Sequence, residues 1–193
     1  MPIMSQMKSQ MKSNKPKSDA GRISKVEDLS HIAVPLIATL FWVALLGLFF
    51  AQTEIQIEGG AGWAANLPTW RVEHHWLLDI FWGGRPMTGY HAWVFPFIAM
   101  FFHFPFFFSQ RWTLKLEARA LACIMMFWIV EDFLWFVFNP AYGLARFDPT
   151  HVAWHKNWFL FAPADYWNFL AVAAILFWFS YRQGTVIRQI KDV

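Results

Sequence analysis

Four long apolar stretches determine what this chain can fold into. Residues 32–51 and 90–109 carry no charged side chain, and residues 164–181 carry only Asp165. A fourth stretch, residues 118–139, is apolar apart from Arg119 at its start and the adjacent carboxylates Glu131 and Asp132. Each is close to the roughly 20 residues that a helix needs to cross about 30 Å of hydrocarbon. The sequence therefore predicts an all-α integral membrane protein, built as a bundle of four transmembrane helices.

The composition agrees with a chain whose surface faces lipid. Charged residues make up 15% of the chain, well below the roughly 25% of a soluble domain, and aromatic residues make up 20%, with 13 Trp and 22 Phe. The net charge of +3 is spread over short segments that flank the apolar stretches, which is a pattern of membrane orientation rather than of nucleic-acid binding. The lipid bilayer is the expected partner, and Cys123, the single cysteine, allows no intrachain disulfide.

The basic residues also predict an orientation. Twelve of the sixteen Lys and Arg residues lie in the N-terminal tail, in the loop after residue 109 together with Arg119 at the start of the next stretch, or in the C-terminal tail. The positive-inside rule assigns these segments to the cytoplasm. We therefore expect a multi-pass protein of the cell membrane with both termini cytoplasmic: a disordered basic tail over residues 1–30, a membrane domain over 31–182 and a short tail over 183–193.

Two connecting segments on the outer side are predicted to contain short helices that lie in the membrane interface. In the first, Pro68 and Thr69 precede the sequence WRVEHHWLLDIFW, and a glycine pair follows it. In the second, Asp148 and Pro149 form a favourable helix start. A helix at that position would place His151 and His155 one turn apart on a single face.

Glu131 and Asp132 are the candidate catalytic residues. A carboxylate at membrane depth is costly when ionised and unpaired, so it usually faces the interior of the bundle with a partner. Adjacent residues on a helix point about 100° apart, so we expect the two acids to have different partners.

Imidazole and carboxylate groups together suit zinc, iron or copper. Because the outer segments are rich in histidine, we expect these side chains to converge on one metal near the outer interface. The predicted ligands are His74, His75, Asp132, His151 and His155. Two other interpretations remain open: the acids and histidines are structural partners of Arg or Tyr side chains, or Glu131 and His103 form a proton or ion relay.

The sequence contains no H-E-x-x-H, P-loop or G-x-S-x-G motif that would define a reaction. The favoured hypothesis is a small membrane enzyme or binding protein with a metal site, acting on a lipid-soluble or small apolar substrate. The alternatives are a non-catalytic subunit that packs on other membrane subunits or on copies of itself, and a proton-coupled carrier.

Overall fold

The computed structural model describes the backbone of residues 17–182 and the side chains of residues 32–79 and 82–182. The predicted tails at residues 1–16 and 183–193 lie outside the described residues. The chain divides into two units, Met1–Ala38 and Thr39–Val193, and each is considered by itself.

Helices make up most of the described chain. Long helices form at α1 (Lys17–Glu58), α3 (Gly89–Ser109), α4 (Leu114–Phe138) and α5 (Ala164–Tyr181), and a short helix forms at α2 (Trp76–Phe81). Two small antiparallel hairpins pair β1 (Arg71–Val72) with β2 (Met87–Thr88), and β3 (Trp158–Phe159) with β4 (Ala162–Pro163). The all-α class predicted from the hydropathy pattern fits this architecture.

Three helical segments among the described residues are long and apolar enough to cross a membrane: Ile32–Glu58, Gly89–Ser109 and Leu114–Phe138. Their most apolar windows are only 11%, 6% and 33% buried within the protein. Helix α5 is 18 residues long but carries Asp165 and Asn168 near its start, which lowers its mean hydropathy. Three of the four predicted spans are therefore supported by their own length and hydropathy.

Helix α1 is longer than the predicted span at both ends. Residues 17–30, expected to be disordered, form its beginning, and its last turns reach Glu58 rather than ending at Ala51. Extending an existing helix adds one hydrogen bond per residue without a new nucleation cost. Gly59 follows the last helical residue and ends the helix, because its φ of +66° is accessible to glycine at little cost.

Close packing of small residues holds the helices of the second unit together. A Cβ added to Gly47 of α1 would lie 3.0 Å from Val130 Cγ1 and 3.3 Å from the backbone nitrogen of Glu131, so α1 and α4 approach closely at this point. Ala122 of α4 and Ala173 of α5 are fully buried. One turn from Ala122, Arg119 of α4 donates a hydrogen bond to Ser180 of α5 at 3.0 Å.

Consecutive long helices run in opposite directions. The end of α1 is tied to the end of α4, because Asn139 Nδ2 donates to the carbonyl of Gly59 at 2.7 Å. At the opposite end of the bundle, Thr39 Oγ1 and Tyr181 Oη lie 3.0 Å apart. The connections that contain the two hairpins therefore lie at the same end as Glu58 and Asn139.

The first predicted interfacial helix forms only in part. Arg71 and Val72 are in strand β1, and the helix begins at Trp76, with His75 as its N-cap. Trp70, Val72, His74 and His75 all have weak intrinsic helix preference. The Arg71 guanidinium also donates to backbone carbonyls of the preceding loop, including that of Ala65 at 3.1 Å, which fixes Arg71 outside a helix.

The prediction of a second interfacial helix is wrong. Residues 148–157 form turns and irregular chain. Asp148 accepts a hydrogen bond from the backbone N–H of Thr150 at 2.8 Å, as an N-cap would, but the turn is not continued. The residues that follow are mostly β-branched, aromatic or Asn, which favour a helix weakly. Packing of Val152 and Trp154 against Phe136 then determines the path of the chain.

Candidate functional site

A cavity of about 440 Å³ lies where α1 and α4 end and α3 and α5 begin. Its walls are mainly apolar and include five tryptophans: Trp63, Trp82, Trp128, Trp135 and Trp154. Five carboxylates line the same space: Glu54, Glu58, Glu131, Asp132 and Asp165. Arg85 is the one guanidinium or ammonium group among the described lining residues, so the acids greatly outnumber the basic groups.

Glu54, Glu58 and His91 form a compact group of possible metal ligands. One donor atom from each lies within 4.8 Å of the donor atoms of the other two, and all three residues are buried. Glu54 and Glu58 are four residues apart on α1, so they occupy the same helical face one turn apart. His91 approaches that face from the first turn of α3.

A backbone hydrogen bond positions the Glu58 carboxylate. Its Oε1 accepts a hydrogen bond of 2.5 Å from the N–H of Ala64, in the loop that follows α1. The loop therefore orients the carboxylate towards His91 and Glu54.

His91 is oriented by contacts on its ring edge and ring face. Its Nδ1 lies 2.7 Å from Oγ1 of Thr88, the N-cap residue of α3. The ring stacks on Trp63, with centroids 4.0 Å apart, and the Trp63 indole N–H donates to the carbonyl of Pro86 at 2.7 Å. The contact with Thr88 occupies Nδ1, so Nε2 is the nitrogen left to bind a ligand.

Glu131 adds a third glutamate beside this group. It is 3% exposed, its carboxyl group lies next to Glu54, and its Oε1 makes no hydrogen bond to any described residue. An unsatisfied buried polar atom costs about 1–3 kcal/mol. Among the described residues, no Lys or Arg forms an ion pair with Glu54, Glu58 or Glu131. Because three buried carboxylates lie together without a basic partner among the described residues, we expect them to bind a cation or to hold protons.

A second polar network lies on the other side of the cavity and is centred on His155. Its Nε2 lies 3.0 Å from Asp132 Oδ2, which also accepts a hydrogen bond from the hydroxyl of Tyr166. Its Nδ1 lies 3.1 Å from Arg85 Nη1 and 3.4 Å from Asp165 Oδ2. Arg85 and Asp165 are themselves paired at 2.6 Å.

The pKa of His155 reflects two opposing influences. Burial of the ring lowers it, but the carboxylates of Asp132 and Asp165 raise it by more than burial and the nearby Arg85 lower it. The pKa of His155 therefore lies above its ordinary value of 6.5.

The structure brings together only two of the five predicted metal ligands, Asp132 and His155. His74 and His75 are exposed, and His75 uses Nδ1 to accept the backbone N–H of Leu77 at 3.2 Å. His151 is also exposed and pairs with Asp148 at 2.7 Å. Hydrogen bonds from Thr150 and His151 hold the pKa of Asp148 at about 2. Among the described residues, no three of these five side chains lie within reach of one ion.

The candidate catalytic acids point to different neighbours, as adjacent helical residues must. Glu131 lies beside Glu54, whereas Asp132 contacts His155 and Tyr166. His103, the other residue considered for a relay with Glu131, instead contacts Glu117 at 3.0 Å near the opposite end of α3. That pairing gives His103 a local partner away from the cavity.

Glu54 and Glu58 are not among the predicted site residues because the first predicted span ends at Ala51. A signal was present: Glu54 and Glu58 are one turn apart, and Ile55 and Ile57 continue the apolar character up to Gly59. Nothing in the linear sequence links His91 to that helix, since the contact depends on how α1 and α3 pack.

No protein-family model, curated protein or solved structure matches this chain.

Proposed function

We propose that this chain is a small four-span membrane protein that holds a transition-metal ion at Glu54, Glu58 and His91. The observation that carries this proposal is the convergence of three buried donor groups on one wall of a cavity. Two carboxylates and one imidazole supply oxygen and nitrogen donors of the types that bind zinc and non-haem iron. Zinc and iron are the metals that we expect to bind most readily.

The fourth span in this proposal is α5. It runs antiparallel to α4 and has the length of a single crossing, and the alternation of the preceding helices requires a return across the bilayer. With four spans, the positive-inside rule places both termini in the cytoplasm and the cavity near the outer surface of the cell membrane.

The cavity supports a lipid-soluble or small apolar substrate. Its volume and its tryptophan-rich walls suit a compact apolar molecule, and the polar groups are restricted to two sides of the space. A metal at Glu54, Glu58 and His91 would polarise a substrate oxygen or a bound water, while Asp132 and Tyr166 face the same space. We therefore propose an enzyme rather than a passive subunit.

Metal binding to purified protein in detergent tests the proposal. Wild-type protein should bind about one zinc or ferrous ion per chain in equilibrium dialysis, and Glu58→Gln and His91→Gln should each bind much less. Glu73→Gln, which changes an exposed glutamate, is the matched control and should bind as wild type does. Equal binding by wild type, E58Q and H91Q would rule out this site.

A further inference from the structure

A second cavity, of about 340 Å³, lies on the far side of the wall that carries His155. Its lining includes the exposed polar residues Asp79, Lys156, Asn157 and Asn168, so we call it the outer pocket. Arg85, His155 and Asp165 line both the outer pocket and the aromatic cavity, whereas Asp132 and Tyr166 line the aromatic cavity. The His155 ring is therefore part of the partition between a polar pocket and a mainly apolar one.

The two nitrogens of that ring contact two different acids, Asp165 and Asp132, whose side chains are 34% and 28% exposed. Nδ1 lies 3.4 Å from Asp165, which lines both spaces. Nε2 lies 3.0 Å from Asp132, which faces the aromatic cavity together with the Tyr166 hydroxyl. An acid, an imidazole and a second acid thus form a continuous chain across the partition.

We propose that Asp165, His155 and Asp132 form a proton path that connects the outer pocket with the aromatic cavity. A hydrated proton binds the Asp165 carboxylate and passes to His155 Nδ1, and the Nε2–H bond breaks as that proton passes to Asp132. Each step moves one proton and no electrons. The ring regains its first tautomer by reorienting or by transfer in the reverse direction.

Arg85 sets the resting state of this path. A guanidinium only donates hydrogen bonds, so its contact of 3.1 Å with Nδ1 makes that nitrogen an acceptor in the neutral ring. The proton is then on Nε2, which donates a hydrogen bond to Asp132. When Nδ1 is protonated, it turns from Arg85 to Asp165, and Arg85 keeps its own ion pair with Asp165. The charged and titratable groups facing the ring are thus Asp132 from α4, Arg85 from the first connection, and Asp165 and Tyr166 from α5.

The path would serve the metal site, and this use rests on the proposed function. A metal displaces protons from the groups that become its ligands. The path would carry those protons to the outer pocket. It would return protons in the same way when the metal leaves.

Hydrogen–deuterium exchange of the buried carboxyl groups tests the path in the metal-free protein. Infrared difference spectra should show a protonated carboxyl C=O band between pH 5 and 9 that is lost in Glu131→Gln, and transfer to D₂O should shift this band. His155→Gln and Asp165→Asn should each slow that shift by at least about tenfold. His151→Gln, at an exposed histidine outside the path, should leave the rate unchanged.

Two outcomes would overturn the proposal: an exchange rate in both path variants equal to that of wild type, or no protonated carboxyl band within that pH range. Asp165→Asn retains a hydrogen-bonding side chain at a half-exposed position, so it is the variant to use where His155→Gln fails to fold. Because no metal is present, the result is independent of metal binding. If wild-type protein binds no metal in dialysis but the two path variants still slow the exchange, only the metal site is rejected.

Discussion

Thr88 Oγ1 lies 2.7 Å from Nδ1 of His91 and also accepts the backbone N–H of His91 at 3.3 Å. One hydroxyl therefore caps α3 and fixes the ring of a proposed metal ligand. With a metal on Nε2, Nδ1 would carry the proton and would donate a hydrogen bond to this hydroxyl.

Replacing Thr88 should therefore weaken metal binding. Thr88→Val removes the hydroxyl but keeps the shape, and we expect a loss of about 10–100-fold in zinc affinity, with about 1 kcal/mol of stability lost with the cap. Thr88→Ser restores the hydroxyl and should recover most of both. Competition titration against a chelator measures the affinity. A Thr88→Val protein that binds zinc as tightly as wild type would contradict the role given to this contact.

Gly47 should tolerate no side chain while Val130 faces it. In Gly47→Ala, the new Cβ would lie 3.0 Å from Val130 Cγ1, which is closer than ordinary van der Waals contact. The free energy of unfolding in detergent should therefore fall by about 1–3 kcal/mol. Adding Val130→Ala removes the nearest atom, and the double variant should be more stable than the sum of the two single effects predicts. Ala174→Val, at an exposed position of α5, is the control and should change little. Additive effects would mean that the two helices do not meet at this pair.

The pKa of His155 predicts a direction of pH dependence. Because this pKa is raised in the folded protein, the folded state binds its proton more tightly than the unfolded state does. The resulting stabilisation is fully present below about pH 6.5, the ordinary value, and is lost as the pH rises through the raised value.

Thermal unfolding in detergent across pH 6 to 9 measures this effect. Wild-type protein should lose stability as the pH rises, and His155→Gln should show a flatter profile. His151→Gln should retain the wild-type slope. A His155→Gln profile that parallels wild type would show that the ring does not gain a proton on folding.

Reporter fusions test the proposed orientation. Fusions after Lys115 and after Val193 should report the cytoplasm, and fusions near Gly60 and Asp148 should report the opposite side, because basic residues cluster beside the first pair of positions. A fusion after Val193 on the side opposite to that after Lys115 would show that α5 does not cross the membrane.

The long helices were predictable because hydropathy over about 20 residues depends little on tertiary contacts. Predicted spans 90–109 and 164–181 match Gly89–Ser109 and Ala164–Tyr181 almost residue for residue. The start of α4 was less predictable, since Lys115 and Glu117 are polar, yet Thr113 caps the helix by accepting from Leu116 N–H at 3.2 Å. Capping determines that boundary, and the hydropathy pattern does not detect it.

The site was predictable only in its chemistry. Carboxylates and histidines at one end of the bundle were expected, and Asp132 and His155 do meet. The prediction of His151 as a metal ligand depended on a helix over these residues. The chain forms turns there instead, and Trp154 packs on Phe136. The pairing of His91 with α1 depends on how two helices pack, which no local pattern encodes.

Locating the ion in the protein tests the central claim most directly. Crystals or ordered membrane arrays grown with zinc should give an anomalous scattering peak at the zinc edge. This peak should lie within about 2.0–2.2 Å of an oxygen of Glu54, an oxygen of Glu58 and Nε2 of His91, and it should be absent in Glu58→Gln. A zinc peak at His74, His75 or His151, with none in the cavity, would contradict the account.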